Sequence, residues 1–136
     1  MNQEQEQVRQ KVLDVCDQIL AKRDFYYSVR PDDEAPWRAI ELTRSYLRDE
    51  GVLIFDVDEH SIKAWRSYIQ IKDKAELNRP EVWVANEIAH ACWLISEAAC
   101  QFGRNDPIYL TQAKIESAEA ILEQLNELEC IADLAS

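Results

Sequence analysis

Two glycines and four prolines are all the strong turn formers in a chain of 136 residues. β-Sandwiches and barrels reverse direction every few residues, and glycine supplies the positive φ that many of those turns need. So little punctuation leaves room for only a handful of long elements, which predicts a mainly α fold. The length closes one hydrophobic core but not two, and no internal repeat, linker or low-complexity block divides it, so residues 1–136 read as a single helical domain. A composition 47% hydrophobic and 30% charged is that of a globular protein rather than a disordered or fibrous one.

Apolar residues at steps of three and four predict a first helix over about 3–23, with Val8, Val12, Val15, Cys16, Ile19 and Leu20 on one stripe. Phe25–Val29 has strand-like composition, and Pro31–Glu34 reads as a loop. A second helix starts near Ala35 and Pro36, turns Trp37, Ile40 and Leu47 inward, and stops before Gly51. Val52–Val57 is a short apolar run that periodicity alone leaves open, and we read it as an extended connector. A third helix over about 60–73 fits Ile62, Trp65 and Ile69 as inward positions; the rival is a small hairpin in which the alternating Tyr68–Lys72 pairs with 52–57. Asn78 followed by Glu81 resembles a capping box that opens a long helix over 81–102, closed by Gly103. Asp106 and Pro107 then start a last helix with a seam of Ile108, Thr111, Ile115, Ala118, Leu122 and Leu125, widened by Ile121 and Leu128. Short connections make such helices antiparallel neighbours, giving a bundle of four to five helices around one core.

Acidic residues outnumber basic ones by 26 to 15, a formal net charge of -11, so bulk electrostatics oppose nucleic acid and anionic membranes as direct partners. The imbalance concentrates at the end of the chain. From Ile115 to Ser136 there are Glu116, Glu119, Glu123, Glu127, Glu129 and Asp133 and no lysine or arginine. Glu116, Glu119, Glu123 and Glu127 recur at steps of three and four, so they share one helix face, where like charges repel by a few tenths of a kcal/mol per pair. Such a stripe either serves solubility or steers a basic partner, since surface fields mainly set association rate and partner choice. The first residues show neither the basic nor the apolar region of a signal peptide, and no apolar run approaches the ~18 residues of a membrane span. Cys16, Cys92, Cys100 and Cys130 form no C-x-x-C pair and sit mainly among apolar residues, as reduced core thiols do. The expected location is therefore the cytoplasm.

Candidate chemistry is sparse. Glu87 and His90 make a Glu-x-x-His step on the long helix, a spacing that helical-bundle metal sites use, but a di-metal bundle repeats it, and His60 has Val57 at the matching position. Asp14, Asp17, Glu116 and Glu119 are the further carboxylates that Mg²⁺ could take. Neither histidine is flanked by a serine or cysteine elbow, and there is no glycine-rich phosphate loop. Arg38, Arg44, Arg48, Arg66 and Arg79 are interleaved with Trp37, Tyr46, Trp65 and Tyr68, which superficially suits stacking on single-stranded nucleic acid. The surrounding segment is nevertheless balanced in charge, favouring core aromatics with arginines paired to carboxylates.

The stretch Asn86–Trp93 resembles the carboxylate helix of all-α nucleoside triphosphate pyrophosphatases, with His90 where that family has an aspartate and without its earlier Glu-Glu-x-x-Glu. The resemblance implies Mg²⁺ at Glu87 and neighbouring carboxylates, and release of pyrophosphate from a nucleotide. The residues themselves favour a different expectation: no cofactor, no metal, and an acidic binding or regulatory protein that engages a basic protein through Glu116, Glu119, Glu123 and Glu127. A homodimeric structural subunit, paired through the Ile115–Leu134 seam, is the third expectation.

Overall fold

The first helix, α1 (Gln3–Leu20), opens on a capping box: the Asn2 side-chain oxygen accepts from the Gln5 backbone N–H at 2.8 Å, and the Gln5 side chain accepts from the Asn2 N–H at 3.0 Å. Backbone donors that the first turn leaves unpaired are satisfied in this way. The computed structural model describes residues 1–70 and 76–135, with side chains in the last helix described as far as Leu128. Along α1, Val8, Val12, Val15, Cys16 and Ile19 are buried, the stripe that the periodicity predicts.

Phe25–Val29 is helical, not strand-like: it lies in a short helix, α2 (Arg23–Val29). The Tyr26 ring is fully buried edge-on to Trp37, with centroids 5.4 Å apart, and its hydroxyl donates to Asp33 at 2.6 Å. Packing of this kind overrides the modest β preference of Phe, Tyr and Val. The next helix, α3 (Ala35–Leu47), has Pro36 in its first turn and buries Trp37, Ile40 and Leu47. Asp49 (φ 58) and Gly51 (φ 85) then reverse the chain.

Neither an extended connector nor a hairpin follows, because Ile54–Ile69 is one helix, α4, and no strand occurs among the described residues. The residues it buries are Val57, Ser61, Ala64 and Ser67, a helical stripe of mostly small side chains. Ile62 and Ile69, expected to point inward, face solvent at 48% and 54% exposure, whereas Trp65, also expected inward, is 36% exposed and packs against Trp93 of α5. The small inward residues let α4 lie close to its neighbour, and the Ser61 and Ser96 hydroxyls meet across the contact at 3.0 Å. Ile71 and Lys72, the far end of the alternating stretch, lie outside the described residues.

A 3₁₀ turn (Glu76–Asn78) leads into α5 (Pro80–Gly103). Asn78 does not cap this helix; Arg79 holds the cap position without a side-chain hydrogen bond, and Glu81 pairs with Arg79 at 2.8 Å instead of reaching back to Asn78. α5 touches every other helix, and its buried residues include Ala85, Ala89, Ala91, Ala98 and Ala99, whose small size lets neighbours approach from several sides. Gly103 is the last residue of α5, with Arg104 at the cap position, and it is glycine for steric reasons. A Cβ there would meet Tyr46 Oη and Ile54 Cδ1 at 2.5 Å, while the positive φ falls two residues later, at Asn105 (φ 58). The last helix, α6 (Ile108–Ala135), buries Thr111, Ile115, Ala118, Leu122 and Leu125 against α5 and α1. The described chain thus has six α-helices rather than four or five, and none is long and apolar enough to cross a membrane.

Candidate functional site

α6 turns two different faces to its surroundings because its apolar and acidic residues keep the same helical period on opposite sides. Ile115, Ala118, Leu122 and Leu125 hold the helix in the core, and Glu116, Glu119, Glu123 and Glu127 are exposed. None of the four carboxylates forms an ion pair among the described residues. At 1.5 Å per residue the row runs for about 17 Å along a helix fixed by its buried side. Glu129, Cys130 and Asp133 have side chains outside the described set.

Packing of α1 beside α6 adds a carboxylate that sequence spacing does not reveal. Glu4, Gln7 and Lys11 of α1 line a shallow groove of about 220 Å³ together with Gln112, Glu116 and Glu119. Glu4 thus extends the acidic face across the helix boundary. Lys11 lines the same groove and makes no ion pair among the described residues.

The carboxylates and histidine expected for a metal are dispersed. Glu87 Oε2 lies 4.0 Å from His90 Nδ1, and the His90 ring stacks on Tyr68 with centroids 4.2 Å apart and planes 15° from parallel. Asp14 accepts from Gln10 at 2.9 Å, and Asp17 pairs with Arg44 at 3.3 Å. Neither these residues nor Glu116 and Glu119 join Glu87 and His90 in a group of ligating atoms. Among the described residues the one such group is Asp58, Glu97 and Cys100, whose ligand atoms lie within 4.8 Å of one another. It was not foreseen, because it depends on α4 meeting α5. Arg104 already occupies its charge, at 3.7 Å from Asp58 and 3.4 Å from Glu97. Burial, followed by the Glu97 and Asp58 charges, pushes the Cys100 thiol up to about 12, so it is protonated in the metal-free chain.

The remaining thiols behave as core atoms. Cys16, Cys92 and Cys100 are free and buried. Desolvation pushes Cys16 up to about 12 and holds Cys92 well above its ordinary range, the reverse of what a nucleophile needs. The arginines interleaved with aromatics also separate into local roles. Arg38 pairs with Glu41 at 3.4 Å, Arg44 with Asp17, and Arg79 with Glu81, while Trp37 is core and Trp65 packs tilted against Trp93 with ring centroids 4.5 Å apart. Arg48 and Arg66 have no ion pair among the described residues.

Comparison with protein-family models, with curated proteins and with solved structures gives no significant match. The functional reading therefore rests on the surfaces and clusters of this chain alone.

Proposed function

We propose that the chain is a non-enzymatic, acidic binding or regulatory protein that engages a basic protein partner, in the manner of an immunity factor, an antitoxin or a nucleic-acid mimic. Glu116, Glu119, Glu123 and Glu127 form the contact row, and Glu4 joins it from α1. The observation that carries this reading is the combination of exposure and sparse compensation: four exposed carboxylates share one face, and none of them forms an ion pair among the described residues, Lys11 being the one cation that lines the groove beside Glu116 and Glu119. Surface rows that serve stability alone are interspersed with lysine, since like charges at i,i+3 and i,i+4 oppose the helix. The fixed row instead provides a preorganised field that accelerates encounter with a cationic surface and penalises acidic ones. Its buried underside means that little ordering entropy is lost on binding. Buried, unpaired thiols agree with a reducing compartment, and we place the protein in the cytoplasm.

The test is affinity capture from the source cell with wild type and with a variant carrying lysine at positions 116, 119, 123 and 127, followed by mass spectrometry. A basic protein should be retained by wild type at low salt, weakened by added salt, and lost from the variant. Equal retention by both, at low salt, refutes the reading. Thermal shift with Mg²⁺ or Mn²⁺ and a nucleotide turnover panel address the pyrophosphatase alternative, which predicts metal-dependent stabilisation and released pyrophosphate.

A further inference from the structure

We propose that the outer face of α4 is a self-association surface on which two copies of this chain pair antiparallel, about a two-fold axis at Ile62. This surface is separate from the acidic row of α6, and the proposal does not depend on that reading. α4 makes no substantial contact with α6.

Phe55, Ile62 and Ile69 are 70%, 48% and 54% exposed, three large apolar side chains left uncovered on one helix. They are seven residues apart, so they fall on one line opposite the buried Val57, Ser61, Ala64 and Ser67. Glu59 and Arg66 complete that line. Read from its N-terminal end, the outermost row is Phe55, Glu59, Ile62, Arg66, Ile69, at steps of four, three, four and three over about 21 Å. Apolar, acidic, apolar, basic, apolar is a sequence that complements its own reversal.

Turning a second copy about Ile62 brings Phe55 against Ile69 of that copy and Ile62 against Ile62, and sets Glu59 within one residue of Arg66, a ~1.5 Å offset that two long side chains span, twice over. A parallel arrangement would set Glu59 on Glu59 and Arg66 on Arg66, so the row itself selects the antiparallel pair. Both charges are available. Arg66 has no ion pair among the described residues, and the Glu59 bond to Lys63, 3.8 Å long, has both side chains about half exposed, which makes it weak and readily exchanged. An isologous two-fold contact needs this kind of self-complementary patch. A membrane surface fits less well, because interfacial helices carry a mainly basic polar face, whereas α4 also bears Asp56, Asp58 and Glu59.

Sedimentation equilibrium of the full chain over a wide concentration range tests the proposal. A reversible monomer–dimer equilibrium is expected, with the four-lysine α6 variant dimerising like wild type. Ile62→Arg should raise the dissociation constant by at least about tenfold, since two arginines would face each other across the axis. Glu59→Arg and Arg66→Glu should each weaken the dimer, and the double exchange should restore it to within about threefold of wild type. Ile62→Cys should form an intermolecular disulfide under mild oxidation, beyond any bridging seen in wild type. Circular dichroism melts check that each variant is folded. A monomer at every concentration, a dimer that Ile62→Arg leaves unchanged, or a double exchange as weak as the two single changes combined would overturn the antiparallel α4 pair.

Discussion

α4 and α6 both flank α5, yet they divide their residues in opposite ways. α6 keeps its large aliphatics inside and shows carboxylates outside, whereas α4 buries Val57, Ser61, Ala64 and Ser67 and leaves Phe55, Ile62 and Ile69 in solvent. Apolar periodicity marks a face without saying which face meets the core. Small residues at helical spacing are an equally good docking stripe when the neighbour is also small, and α5 supplies alanines and Ser96 on its buried surface. The cost is less apolar area buried per turn of α4, and the gain is close approach.

The sharpest way to break this contrast is to truncate one large aliphatic on each helix. Leu122→Ala on α6 should cost about 3 kcal/mol, because it removes a buried side chain and leaves a cavity. Ile62→Ala on α4 should change monomer stability by under about 0.5 kcal/mol. Urea denaturation at a concentration low enough to keep the chain monomeric measures both. Comparable losses would mean that Ile62 packs inside after all. Overfilling the small stripe is the complementary change: Ala64 is completely buried, so Ala64→Leu would overpack the inner face of α4 and should cost about 2 kcal/mol.

These residues also show what was legible before the structure was known. The all-helical class followed from glycine scarcity, and α1, α3 and the acidic face of α6 from residues at steps of three and four. The register of α4 was not legible, because reading by large apolar side chains selects the wrong side when serines and alanine form the contact. α2 was hidden for a related reason: Tyr26 is helical owing to its burial against Trp37 and its bond to Asp33, and no local preference records those partners. The role assigned to Gly103 needed Tyr46 and Ile54, which approach from two other helices. Glu4 joining Glu116 and Glu119, and Asp58 meeting Glu97 and Cys100, likewise depend on how helices pair, which spacing within one helix does not encode.

Buried thiols extend the comparison to pH, since Cys16 lies within the common core and Cys100 beside Asp58 of α4. Burial raises both from an ordinary 9.0 to about 12. The folded state thus holds its protons more tightly than the unfolded chain, so this contribution is complete below pH 9 and is lost as pH climbs toward 12. For the fully buried Cys16 the decline should be about 1 kcal/mol per pH unit in that interval. Thermal melts at increasing pH should fall accordingly, and Cys16→Ala should flatten the slope even though it lowers stability at neutral pH. An unchanged slope would show that other groups, such as Tyr26, dominate the alkaline limb. The Tyr26 phenol is held protonated by burial and then by its hydrogen bond to Asp33, so its own loss begins only above its ordinary 10.0.

The smallest expected effect has an unusual sign. Glu123 stands four residues from both Glu119 and Glu127, so Glu123→Lys turns two repulsions into two attractions, one of them in the favourable order with glutamate N-terminal to lysine. The variant should be more stable than wild type by about 0.5 kcal/mol at low ionic strength, and the gain should shrink as salt is added. A surface change that removes a compensating charge would do the opposite, so destabilisation would mean that Glu123 already has a cation beside it. Stabilisation together with weaker capture of a basic protein is the signature of a residue kept for binding at a cost to the fold. On α4 the exchange of Glu59 for arginine offers no such gain, because it would break the bond to Lys63 at 3.8 Å and set two cations on one turn. The two helices thereby separate once more, through the sign of a charge reversal instead of the depth of a side chain.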